Sequence, residues 1–324
     1  AADTVPEGSL VAVPDGRGGW AMGDTPAAAR QVAGKVPGRR TPAAAIPPLD
    51  VPDGDWDAEI HTSWVEPAYL ETDASWCVPG GEPASPLANG GAFGAKLGSE
   101  APAAARSLAN EHGCPVVVLV SREDSVLTGA KRPPVAGGAR ADGTGRLRVV
   151  RTPGIAEAVA AVAPGLKVEE VDVPGPPTSA NLRAAGWAEA VVLLTGSGAM
   201  APGQPVVSPE GAEATAVVDH DAIRVTVRCG EPLDEVVLRS YCIGAAHMAW
   251  SWITSEGLSV DDDGVVHDLT VRSFGIVRAT ETPMITVEVL ADDGPPVNGS
   301  DAVFAAVAAA TWRHRGCPPE LPTG

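Results

Sequence analysis

The sequence predicts a mixed α/β (α+β) fold of two domains, and three observations carry that prediction. A helix-forming stretch at residues 99–112 runs straight into Pro115-Val-Val-Val-Leu-Val-Ser121, which is apolar on both faces, as a strand in a layered α/β unit is. Two β-rich runs at 214–218 and 223–228 flank the short acidic turn Asp219-His220-Asp221, the pattern of a hairpin. Long apolar helical stretches at 234–253 and 302–312 then alternate with strand-like runs, giving the C-terminal part the order β-β-α-β-β-β-α.

In chain order, residues 1–57 read as an extended Pro/Gly-rich segment with one strand-like run at 9–13 and a helix-like run at 27–33. Residues 58–205 form a first domain. In it the helix at 99–112 opens on Ser99-Glu-Ala-Pro102, a cap followed by an early proline, and stops at Gly113. Residues 131–145 read as a solvated, basic, Gly-rich loop, because they lack the glycine order and Lys-Ser/Thr pair of a phosphate-binding loop. A helix at 155–163, a strand at 166–173, a Pro-rich connection at 174–179 and an apolar helix over 182–194 complete the domain. Residues 206–324 form the second domain. It holds the hairpin and long helix above, a second hairpin of 258–260 and 265–271, a strand at 285–290 and the Ala-rich last helix.

Composition narrows the function. In 324 residues, 41 Asp+Glu against 23 Lys+Arg leave a net charge of −18, which repels nucleic acid and anionic membrane. Aromatic residues make up only 4%, too few for a base-stacking surface. The 37 Gly and 31 Pro exceed ordinary usage and imply many turns around a modest core. No apolar run approaches the roughly 18 residues that span a bilayer, and the first residues carry neither the basic nor the apolar region of a signal peptide. Five widely spaced cysteines without a CxxC pair read as buried free thiols of a cytoplasmic protein, and six histidines show no metal-ligand spacing.

Several motifs have structural readings. Asp261-Asp-Asp-Gly264 is a turn with Gly supplying positive φ, since a calcium loop needs a longer acidic run between helices. Gly196-Ser197-Gly198 lacks the spacing of a nucleophile elbow and reads as a flexible loop. Glu169, Glu170 and Asp172 are solvated charges on a surface strand. Two segments point to a ligand. Asn89-Gly-Gly-Ala-Phe-Gly-Ala-Lys96, ahead of a helix, lets backbone N–H groups approach an oxyanion closely. Thr178-Ser-Ala-Asn-Leu-Arg183-Ala-Ala-Gly186 sets one Arg among small residues, where it can donate in a fork to an oxyanion.

Taken in order, these pieces resemble the molybdenum-cofactor chain of the xanthine dehydrogenase/aldehyde oxidase family in a shortened form. Gly90-Gly-Ala-Phe-Gly-Ala-Lys96 is similar to the family's Gly-Gly-Gly-Phe-Gly-Gly-Lys. Glu66-Pro-Ala-Tyr-Leu-Glu71, Ser121-Arg-Glu-Asp124 and Thr178 to Gly186 are similar to its neighbouring segments. The resemblance covers residues 59–312 and implies a two-domain remnant of that fold, with molybdopterin touched by Gly90, Gly91, Ala92, Phe93, Gly94 and Arg183. No iron–sulfur cluster or FAD is implied on this chain, and none of its side chains is a metal ligand. The expected partners are a larger molybdenum-family chain, an iron–sulfur subunit and an FAD subunit.

Departures from the family shape the expectation. Asn298-Gly-Ser-Asp301 stands where the family has Gly-Glu-Pro-Pro, so Ser300 replaces the Glu that acts as base. Asp301 is one residue off, about 100° around a helix, and Glu71 is the other carboxylate considered as a replacement base. Leu97 replaces a Glu that serves purine recognition in family members. The pterin-holding stretches between the pieces are missing. The resemblance therefore implies a subunit contributing to, or scaffolding, a molybdopterin site that oxidises an aldehyde or N-heterocycle with water as oxygen source. The alternative is a non-catalytic structural or assembly protein derived from the same fold.

Overall fold

The computed structural model describes residues 4–34, 44–85 and 91–323. The chain opens with a hairpin of β1 (Leu10–Pro14) and β2 (Trp20–Gly23), turned on Asp15, whose carboxylate accepts from the amides of Arg17 and Gly19. Helix α1 (Pro26–Ala33) follows, with the Thr25 hydroxyl capping its first turn. Next come β3 (Ala58–Thr62), β4 (Ala74–Cys77), a 3-10 segment at Ala92–Gly98, and α2 (Ala101–His112), which ends on left-handed Gly113. After β5 (Val116–Leu119), α3 (Arg122–Thr128) starts on a capping box in which Ser121 and Asp124 satisfy each other's backbone amides. The chain continues through β6 (Val135–Ala139), β7 (Gly145–Val150), α4 (Ile155–Val162), β8 (Leu166–Val171) and α5 (Trp187–Ser197). The last part is β9 (Val206–Val207), β10 (Glu213–Val218), β11 (Ala222–Arg228), α6 (Glu235–Thr254), β12 (Met284–Val289), α7 (Gly299–His314) and β13 (Glu320–Leu321).

Three sheets result, in strand orders β2-β1-β5-β4, β13-β3-β6-β7-β8 and β12-β11-β10-β9. The architecture is the mixed α/β fold that the sequence predicts. Strand pairing crosses the expected chain division twice. β1, the strand expected at 9–13 of the N-terminal segment, runs parallel to β5, and β13 pairs with β3 near the opposite end of the chain. The largest core lies around α5 and α7, which are buried on nearly every side. Ala302, Ala305, Ala306, Ala308 and Ala309 keep α7 thin enough to sit against α5, α6 and β10 at once.

The structure corrects four readings. Of residues 131–145 only 140–144 are a solvated turn: β6 is wholly buried, Lys131 and Arg132 are buried with it, and a Cβ on Gly138 would overlap the Trp56 indole. Residues 258–271 form no paired strands. Leu258 and Val266 make single bridges, to Trp64 and Val260, and pack into a second apolar cluster with Trp64 and Phe274. The helix expected at 182 begins at Trp187, because Ala184 and Gly186 adopt positive φ. Gly196-Ser197-Gly198 is the end of α5 rather than a loop, with Gly196 beneath the Trp312 ring and Gly198 as a left-handed cap.

Other local readings hold. The Asp261 carboxylate accepts from the Asp263 and Val265 amides ahead of Gly264 at positive φ, which makes a turn. Glu169 pairs with Arg148, and Glu170 and Asp172 with Arg151, along an exposed edge. All five cysteines are free; Cys77, Cys229 and Cys242 are buried, whereas Cys114 and Cys317 are only half-buried. No described helix is long and apolar enough to cross a membrane.

Candidate functional site

The two ligand-type segments meet. Ala92, Phe93 and Gly94 lie consecutively in the left-handed region, at φ 52°, 59° and 94°, a conformation that costs non-glycine residues energy unless their surroundings impose it. Here they are imposed on: the Phe93 carbonyl accepts from the Arg183 amide at 2.9 Å, and the Gly94 amide donates to Gly91 O at 3.0 Å. Gly94 presses so closely on the turn at 181–183 that a Cβ would overlap the Asn181 carbonyl. The tract is thus seated on the backbone around Arg183. Gly90 lies outside the described residues.

Arg183 is 8% exposed. Its guanidinium lies 4.8 Å from the Phe93 ring centroid, its Nη1 faces Met248 Sδ at 3.2 Å, and its Nε is 3.5 Å from Asp301 Oδ1 without a well-formed hydrogen bond. Burial pulls its pKa below the ordinary guanidinium range, and the Asp301 carboxylate opposes that pull. Asp301 stands in the first turn of α7, which Asn298 opens. The Asn298 Oδ1 accepts from both the amide and the hydroxyl of Ser300, at 3.1 and 2.7 Å. Ser300 is therefore held by the helix cap, and Asp301 serves as counter-ion to Arg183.

These pieces line one cleft of about 850 Å³. Gly91, Ala92, Phe93, Gly94, Arg183, Ser300 and Asp301 all face it, and Tyr69, Trp187 and Tyr241 add aromatic wall. The Tyr69 hydroxyl is pushed up to about 12, by burial first and by the Asp73 carboxylate second, so it stays a neutral donor. Leu70, Glu71 and Leu97 are exposed at the cleft, as is Glu210. Its charged lining residues are Arg183 on one side of the balance and Glu71, Glu210 and Asp301 on the other. Among the described residues no group of three or more His, Cys, Asp or Glu is placed to hold a metal ion.

Beneath the cleft lies a set of buried charges that sequence reasoning missed. Arg132 donates from Nε and Nη2 to the two Glu189 carboxylate oxygens at 2.7 and 2.9 Å, from Nη1 to Arg183 O at 2.7 Å, and from Nη2 to Ala184 O at 3.3 Å. Its guanidinium sits 4.5 Å from the Trp252 ring and 4.8 Å from that of Phe304. The turn carrying Arg183 is thus tied to α5 through a fork geometry that lysine cannot reproduce. Lys131, fully buried, lies 3.0 Å from Glu66 and donates to Ser125 O and Gly129 O; burial pulls its pKa down, and Glu66 opposes the shift. The one available signal was Glu189, an isolated acid in the apolar run of α5.

Glu256 completes this layer. Burial pushes its carboxyl up to about 7, against the lowering effects of Ser251 and of Arg132. Because the folded pKa exceeds the unfolded one, the neutral acid favours the fold below about pH 4.5, and that contribution is lost as pH rises through about 7. Glu256→Gln should therefore flatten the stability profile over this window. At pH 8 it should be more stable than the parent by a few kcal/mol, at about 1.4 kcal/mol per pKa unit. Urea unfolding at pH 4.5 and pH 8 checks this; equal midpoint shifts at both would contradict it.

No protein-family model matches the sequence, and no curated protein sequence matches it. Solved structures do. The chain is similar in fold to quinoline 2-oxidoreductase from Pseudomonas putida 86, with a TM-score of 0.58 and 9% identity, covering 82% of this chain and 74% of that one. Reconstituted CO dehydrogenase from Oligotropha carboxidovorans gives a TM-score of 0.51, 9% identity and coverage of 82% and 73%. At 9% identity the likeness is one of fold.

Proposed function

We propose that this chain is a shortened subunit of a molybdenum hydroxylase-type oxidoreductase complex of the cytoplasm, lending one wall of a site that a larger molybdenum-family chain completes. The observation that carries this reading is the convergence of Gly91 to Gly94, Arg183 and the Asn298 to Asp301 helix start on one cleft, in a fold similar to two oxidoreductases. The complex oxidises an aldehyde or N-heterocycle with water as oxygen source and passes electrons to iron–sulfur and FAD subunits.

The residues present do not fit a pterin dinucleotide held by this chain alone. Such a ligand brings phosphate charge, whereas the charge of Arg183 is already offset by Asp301 at 3.5 Å and three carboxylates line the cleft. The space that Gly94 leaves is filled by Asn181. Ser300 is a hydroxyl bound to its own helix cap and cannot take a proton as a carboxylate base does. What this chain's residues do is structural: Phe93, Tyr69 and Trp187 supply an apolar wall, and Arg132 and Arg183 fix its backbone.

Metal analysis and dye-coupled oxidation on the chain purified from its native source, isolated and in complex, test this. The expected result is molybdenum and turnover in the complex and neither in the isolated chain; molybdenum with turnover in the isolated chain would overturn it. The offset of Arg183 by Asp301 favours a second reading, a non-catalytic assembly protein, which predicts a partner but no pterin in any state.

A further inference from the structure

The face of α6 turned away from the core is apolar. At 100° per residue, Val236, Val237, Ser240, Tyr241, Ile243 and Gly244 fall on one side of the helix, and all are exposed. Cys242, Ala245, Ala246, Ala249, Trp252 and Ile253 are buried on the other. Leu233, just ahead of the helix, is 94% exposed and Val236 78%. Tyr241 carries the patch to the cleft, where Leu70 and Leu97 stand 83% and 73% exposed. With roughly 200 Å² to a large apolar residue, the α6 residues and Leu233 present on the order of 600 Å². Leu70 and Leu97 stand across the cleft mouth, and a partner spanning both sides would cover close to the roughly 800 Å² per partner of a stable interface.

Gly244 sharpens the point. A glycine in the middle of a 20-residue helix costs about 1 kcal/mol relative to alanine. Nothing among the described residues requires it, because a Cβ there meets no atom within 4 Å. A glycine with open space above it, in the middle of an apolar face, is what close approach of a second backbone needs. The rim is acidic: Glu231, Asp234, Glu71 and Glu210 are exposed, while Arg239 is engaged with Glu235 and the Val287 carbonyl.

We infer that the exposed face of α6, with Leu70 and Leu97 across the cleft mouth, docks a different protein chain whose contact surface is apolar at its centre and basic at its rim, and that this chain caps the cleft. Charge selects the occupant. A second copy would bring another −18 and the same acidic rim against this one, whereas a basic rim is attracted and steered. This inference rests on the proposal that the chain works within a complex, and it names the surface used.

The test uses the tagged full chain expressed in its native source, as the parent, Gly244→Leu and Val236→Lys. Both substitutions point into open space, and thermal unfolding of each variant verifies that the fold is kept. The expected result is a fall of about tenfold or more in the co-purified second chain for both variants, the loss that about 1.4 kcal/mol of binding produces. A photo-crosslinker at Ile243 should join a segment of that chain rich in Lys or Arg beside apolar residues, and added salt should weaken the association. Crosslinks to a second copy, crosslinks to an acidic segment, or co-purification unchanged in both variants would overturn the inference and leave the subunit proposal standing. Absence of any co-purifying chain would overturn both.

Discussion

Replacing Glu189 by alanine should cost the fold about 3–5 kcal/mol, read as a lower urea midpoint at unchanged slope. The cost does not come from the ion pair being strong in itself, since taking two charges out of water is expensive. It comes from what remains: Arg132, 7% exposed, would keep its charge between the Trp252 and Phe304 rings without the carboxylate its fork is bonded to, and Glu256, which burial holds toward the neutral acid, is the carboxyl left to compensate it. A double replacement, Arg132→Leu with Glu189→Leu, should recover part of the loss. Recovery stays incomplete because the Arg183 and Ala184 carbonyls lose their donor. A cost below about 1 kcal/mol for the single replacement would mean that the pair is not closed as described.

The second large effect is expected at Gly94. Alanine there must hold φ near 94° and place a methyl group on the Asn181 carbonyl, so the tract and the Arg183 segment must separate. Left-handed strain of about 1–3 kcal/mol and a comparable packing penalty bring the expected loss to about 3 kcal/mol or more. Hydrogen exchange distinguishes this from general loosening: the Arg183 amide, bonded to Phe93 O, should lose protection before the amides of α7 do. Retained protection at Arg183 in Gly94→Ala would contradict the seating of the tract.

Much of the fold was legible because the elements concerned announce themselves locally. The hairpin of β10 and β11, helices α6 and α7, and the step from α2 into β5 all carry their period, caps or turn residues within the element. What escaped depends on partners far away in sequence. Lys131 and Arg132 look like solvent markers in a Gly-rich run, and only Glu66 and Glu189, the latter 57 residues on, make their burial possible. The alternation at 258–271 reads as strands, yet its apolar residues are spent under Trp64 instead of on a ladder. Of the site, Phe93, Gly94, Arg183, Ser300 and Asp301 were all singled out from sequence, and they share a cleft. That Arg183 faces inward to Asp301 has no local signal. Nor has the exposure of α6: its apolar residues run nearly all round, as a buried helix's do, and only the packing shows which half faces water.

Under the subunit proposal, this chain is one wall of a site that another chain completes. The most direct measurement is turnover of the native complex after this chain has been removed and then added back in increasing amounts, with molybdenum followed in both fractions. The expected result is that each fraction alone is silent and that activity rises until the chain is stoichiometric. Dye-coupled oxidation by this chain in isolation, or full turnover in its absence, would contradict the subunit proposal.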